Sequence, residues 1–125
     1  MAIGWNATAA NSQLNVFRGT TYTGVTAYMK LHTGDPGAAG TANASGLTTR
    51  NAVTWNAASG GSMTLSSIGT YTMNTTETIT NVSFWDNPTA GNFLWSGTLA
   101  VSAPVVSGTI LNFTAITVSL TPIAA

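Results

Sequence analysis

The chain has 125 residues, no cysteine, and only three basic and three acidic side chains, so its net charge is zero. That length suits one domain with a modest core, and 5% charged residues is about a fifth of the usual share. Disulfides and thiolate metal sites are excluded. Arg18, Lys30 and Arg50 are too few and too scattered to displace counterions from nucleic acid, and no apolar run approaches the roughly 20 residues that span a bilayer.

The opening MAIGWNATAANS has neither a basic start nor an apolar run, so no secretory leader is expected. Residues 6–18 predict the one helix. Asn6 or Thr8 can cap it, Ala10, Leu14 and Phe17 recur at helical spacing, and Gly19 follows Arg18 as a stop. Trp5 is placed to staple this helix to the rest of the domain. The apolar face is narrow and needs a partner surface, either this chain's own sheet or a neighbouring protein. Residues 1–24 therefore read as a helical arm, and 25–125 as the β-domain.

After a turn-rich link at 20–24, strands are predicted over 25–33 and 48–57. Ala27, Met29 and Leu31 alternate with Tyr28, Lys30 and His32. Between the two strands, Asp35-Pro36-Gly37 forces a turn and a long small-residue loop follows. Ser59-Gly60-Gly61 is the next turn, and 63–66 a strand that Tyr71 and Met73 continue or restart. A further strand covers 77–85, with Val82 and Phe84 on its inner face. Residues 86–92 carry a strong hairpin signal, and a strand over 93–100 follows it. In the run 109–121, Leu111 and Phe113 share one register, while Ile116, Val118 and Leu120 share the other. A bulge near Ala115, or passage from one sheet to another, explains that switch, and Pro122 ends the run. The fold class is all-β, an antiparallel sandwich or barrel with one short N-terminal helix.

Little here points to catalysis. His32 is the only histidine. It could act as a base oriented by Asp35 or Asp86, but no local signature names a nucleophile. Its alternation with core positions, next to Lys30, favours a surface or a structurally hydrogen-bonded histidine over a catalytic one. The acidic residues have ordinary tasks: Asp35 and Asp86 open turns, and Glu77 starts a strand. That leaves no carboxylate pair for glycoside hydrolysis, no calcium loop and no other metal site. The glycine-rich GDPGAAG and SGG lack the lysine and helix of a phosphate loop. No cofactor is implied and no enzymatic activity is expected. Five N-x-S/T sequons, at Asn6, Asn43, Asn74, Asn81 and Asn112, read as chance in a chain rich in Asn and Thr.

The stretch from Leu31 to Trp55, LHTGDPGAAGTANASGLTTRNAVTW, resembles a family of small tailed-phage accessory virion proteins that read LHT-x-DPG, then GTAN, then R-x-AVTW. ETITNVSFW at 77–85, Asp86 and GNFLWSG at 91–97 continue the resemblance, which covers about residues 28–120. Such proteins, from phages of actinobacteria and other hosts, are labelled as head-decoration, minor tail or tail-fibre proteins. Many carry an acidic residue after GTAN where this chain has Ala44, so no polar contact is carried over there.

The resemblance implies a virion component assembled in the bacterial host cytoplasm. The expected role is a capsid decoration or cement protein. A tail-fibre or minor tail protein is the alternative, and a carbohydrate-binding module for host recognition the second. The chain shows no heptads or stalk repeats, and its nearly uncharged surface suits close packing between subunits. The expected partners are further copies of itself, as a trimer, and the major capsid protein or another virion protein. Candidate subunit contacts are Trp5, Leu14 and Phe17 on the arm and Asp35, Pro36 and Ala39 in the loop, whose small residues permit close backbone approach.

Overall fold

The computed structural model describes residues 3–120; the end of the last apolar run at Thr121 and the stop at Pro122 lie outside them. The helix α1 spans Ala7–Asn15 and tightens into a 3-10 turn over Val16–Arg18. Asn6 is its N-cap, accepting from the Thr8 N–H at 2.9 Å. Gly19 takes a left-handed conformation at φ 88° and ends it.

Eight strands follow: β1 Ala27–His32, β2 Asn51–Trp55, β3 Ser62–Ile68, β4 Tyr71–Thr72, β5 Glu77–Trp85, β6 Phe93–Val105, β7 Ile110–Leu111 and β8 Thr117–Ser119. Six of them form one antiparallel sheet in the order β6-β5-β1-β2-β3-β8, and β4 pairs with β7 in a separate ribbon. The sheet curls, so that β6 and the segment leading into β8 line the same groove. The protein is all-β with one short N-terminal helix, as the alternation predicts. The register switch after Phe113 is a passage between sheets: β7 lies in the ribbon and β8 in the main sheet.

Pairing sets the two faces. Met29 lies opposite Phe84, and Phe84 opposite Trp95, so these side chains share the inner face with Ala27, Leu31 and Val82. Phe84 and Trp95 stack with centroids 4.5 Å apart, and Trp55 closes on both. Tyr71, buried in the ribbon, donates its hydroxyl proton to the Met29 carbonyl at 2.6 Å. Burial there pushes its pKa up. The opposite face of β5 is buried too, while that of β1 is half-buried at Tyr28 and Lys30 and buried at His32. His32, Asn81, Ser83 and Trp85 are each under a tenth exposed, so both faces of β5 are covered.

β6 extends beyond the expected 93–100. It passes through Pro104, which sits opposite Thr78 on the edge strand of the sheet. A proline there can aim its missing N–H away from the ladder. Between the pairs Asn81↔Thr98 and Ile79↔Ala103, residues 99–102 bulge out, leaving Val101 80% exposed.

Candidate functional site

Two segments are appended to this sheet, the loop at 33–46 and the arm before β1. Each holds part of the expected contact set.

The loop is tied down along its length. Thr33 N–H donates to the Asn43 carbonyl at 2.8 Å, Ala42 N–H to the Pro36 carbonyl at 2.9 Å and Ser45 N–H to the Leu31 carbonyl at 3.1 Å. Asp35 Oδ1 accepts from Gly37 N–H at 2.8 Å, closing a turn on itself. Pro36 is fully buried within the chain. Gly40, at φ 73°, lies so close to Phe93 that a Cβ there would stand 2.5 Å from the ring. At the loop's end, Glu77 accepts from the Ser45 hydroxyl and from Gly46 N–H. Of the loop's expected contacts, only Ala39 is exposed.

Under the loop lies a relay of polar groups. His32 Nδ1 stands 2.9 Å from the Ala42 carbonyl, and Nε2 stands 2.7 Å from Ser83 Oγ. A carbonyl only accepts, so Nδ1 carries the proton and Nε2 accepts from the serine hydroxyl. Ser83 Oγ in turn accepts from Trp85 Nε1–H at 2.8 Å. The chain of donors runs Trp85, Ser83, His32, Ala42, with every member satisfied. A serine beside a histidine resembles a nucleophile and base. Here both are fully buried, and the group orienting the imidazole is a backbone carbonyl, which cannot stabilise an imidazolium as a carboxylate does. Burial lowers the His32 pKa, and the Lys30 and Arg50 charges lower it further against the Ala42 hydrogen bond. The neutral ring therefore joins the loop to β5.

Arg50 holds the neighbouring hairpin. Its Nη1 donates to the Ala90 carbonyl at 2.6 Å and the Asn87 carbonyl at 3.1 Å, and its guanidinium lies 4.1 Å from the Trp85 ring centroid. Asp86 closes the same hairpin, accepting from Asn92 N–H at 2.7 Å and Asn92 Nδ2–H at 2.8 Å. Those bonds depress its pKa. The sequence assigns no contact to Arg50 or Ser83, because Asn87 and Ala90 lie 37 and 40 residues from Arg50 and His32 lies 51 from Ser83.

The arm is built differently. Trp5 pairs with Trp95 across the free edge of β6, with rings 4.7 Å apart. Asn6 N–H donates to the Leu94 carbonyl at 2.7 Å, and Ser96 N–H to the Gly4 carbonyl at 2.8 Å. Ala9 is the one buried residue of α1. The helix docks on this small side chain, and not on the Leu14/Phe17 face, because alanine lets the helix approach the strand. Leu14 is 65% exposed and Phe17 91% exposed, with Val16 also exposed between them. Of the aromatic side chains, only Trp5, Phe17 and Tyr22 are exposed, and all precede β1.

The model of the family described as podophage GP4 fiber I protein gp80 matches residues 4–121. The chain belongs to this podophage fibre family. It is a bacteriophage virion structural protein. No curated protein matches the chain. Among the described residues no cluster of His, Asp and Glu side chains suited to a metal ion occurs, and no helix is long and apolar enough to cross a membrane.

Proposed function

We propose that this chain is a structural subunit of a podophage tail fibre. It assembles as a small homo-oligomer through apolar contacts of the N-terminal arm, and the oligomer attaches to another virion protein. The family match over 4–121 carries the fibre reading and favours the tail-fibre alternative over the expected head decoration. The arm supports the mode of assembly, since it presents Leu14, Val16 and Phe17 to solvent while the core aromatics are packed. A trimer suits a fibre, because linked contacts raise the effective affinity without new chemistry. The role is mechanical and not catalytic. His32 and Ser83 are committed to holding the loop on the sheet, and the few charges favour apolar attachment that salt screens weakly.

The test is location and copy number on purified particles, by immunogold labelling and quantitative mass spectrometry. The expected result is label at the tail and a copy number far below that of the major head subunit. Label over the head, with a copy number near that of the head subunit, would overturn the fibre reading in favour of decoration.

A further inference from the structure

The arm's attachment has an unusual economy. The backbone of helix α1 comes close to β6 and to no other strand, and its side chains Ala9 and Gln13 border a cavity with Ala27, Trp55 and Met63. Its seat on the domain consists of the two backbone bonds flanking the Trp5–Trp95 pair, the Gly4 N–H bond to Ser96 Oγ at 3.2 Å, the indole contact and the buried Ala9. The backbone groups that receive it, the Leu94 carbonyl and the Ser96 N–H, point from the outer edge of β6, the end strand of the sheet, while the Trp95 indole receives Trp5 beside the inner face. A free strand edge accepts any segment of matching register, whichever chain supplies it.

The link to the body leaves that choice open. Residues 20–26 are all exposed, and the link begins just after the left-handed Gly19. Gly24 has nothing within 4 Å of where a Cβ would stand. Seven extended residues reach up to about 23 Å, enough to cross from one subunit's surface to the adjoining one. Moreover, the arm carries one charge, Arg18, so a neighbour of the same sequence meets little repulsion.

We propose that the arm is exchanged between copies. In the homo-oligomer, residues 4–18 of one chain seat on the β6 edge of the next, in the register seen within one chain. This rests on the homo-oligomer of the fibre reading and specifies how its subunits are joined. Exchange keeps every contact of the arm and adds the boundary between subunits, which is why swapping is a low-cost route to assembly. It also gives the Leu14, Val16 and Phe17 face a place at that boundary, where it no longer meets only water. The occupant of each edge is a second copy of this chain.

Because the chain has no cysteine, an introduced pair reports without background. Trp5 and Trp95 form a non-hydrogen-bonded pair, as the bonds on either side of them require. Such pairs bring Cα atoms to about 4.5 Å, within disulfide range. The full chain carrying W5C and W95C, assembled and then oxidised, should run on a non-reducing denaturing gel mainly as covalent oligomers that reductant returns to single chains. Disulfides closed within single chains would overturn exchange. The unaltered chain gives a second measurement, free of any loss of the indole stack. Isotope-labelled and unlabelled chains, refolded together, should show nuclear Overhauser contacts between Trp5 of one and Trp95 of the other. Contacts confined to one chain would overturn the proposal. An oligomer with internal disulfides defeats exchange alone, whereas the fibre reading is decided separately by labelling on the particle.

Discussion

The loop at 33–46 and the arm at 4–18 are both small-residue segments laid on one sheet, yet they are held in opposite ways. Loop groups bond to the loop itself, to β1 and to Glu77 of β5, with a buried proline and a histidine relay beneath. The arm's backbone bonds to the body only at the edge of β6, and beyond Trp5 and Ala9 it turns Leu14, Val16 and Phe17 outward. The lesson is that small residues in a loop can serve the chain's own packing. In the loop, close approach is made to Phe93 of the same chain, at Gly40. A segment free to contact others shows itself by unspent apolar surface.

The contrast breaks most visibly at two glycines. Gly40→Val forces a branched side chain into a left-handed backbone and against the Phe93 ring. A loss of about 4 kcal/mol is expected in denaturant unfolding. Gly24→Val, in the link, meets open space and should change stability by less than about 0.5 kcal/mol. Similar losses at both positions would mean the link is as tightly held as the loop.

His32→Ala should cost about 3 kcal/mol by leaving a cavity and stripping partners from Ser83 and the Ala42 carbonyl. The same residue sets a pH dependence. Its folded pKa is depressed, so between that value and about 6.5 the unfolded chain binds a proton the folded chain does not. Stability therefore falls as pH is lowered through this window and is fully present above it. With one histidine and three carboxylates in the chain, midpoints measured from pH 7.5 to 5.5 should trace His32, and the slope should vanish in His32→Ala.

Arg50→Ala should cost about 1 kcal/mol, since it removes two hydrogen bonds to the hairpin and the contact with Trp85 from a partly exposed position. The smallest stability effect belongs to the arm. Phe17→Asp at a 91% exposed position should move the unfolding midpoint by less than about 0.5 kcal/mol, yet sharply reduce oligomer formation by light scattering. A matching loss of stability would place Phe17 in the domain's own packing.

Much of this architecture was legible in the sequence where periodicity and turn chemistry speak locally. Strand β5 occupies the 77–85 of its alternating pattern, the hairpin at 86–92 is present, and Gly19 stops the helix. The phase change after Phe113 marks a passage between sheets. What stayed hidden depends on distant partners. The strand expected over 93–100 runs on through Pro104 to Val105, because β6 is an edge strand that tolerates proline. The docking face of the helix turns on the smallness of Ala9, where spacing draws the eye to Leu14 and Phe17. The His32–Ser83 bond joins residues 51 apart, and Arg50 meets its hairpin only after β2 and β5 come together on either side of β1.

Amide hydrogen exchange on the free and the assembled full-length chain tests the central contrast most directly. The expected result is that loop amides bonded within the chain, at Thr33, Ala42 and Ser45, are protected equally in both states, while amides of the arm and of the exposed link at 21–26 gain further protection on assembly. Protection appearing in the loop on assembly, with the arm unchanged, would contradict the account and make the loop the contact surface.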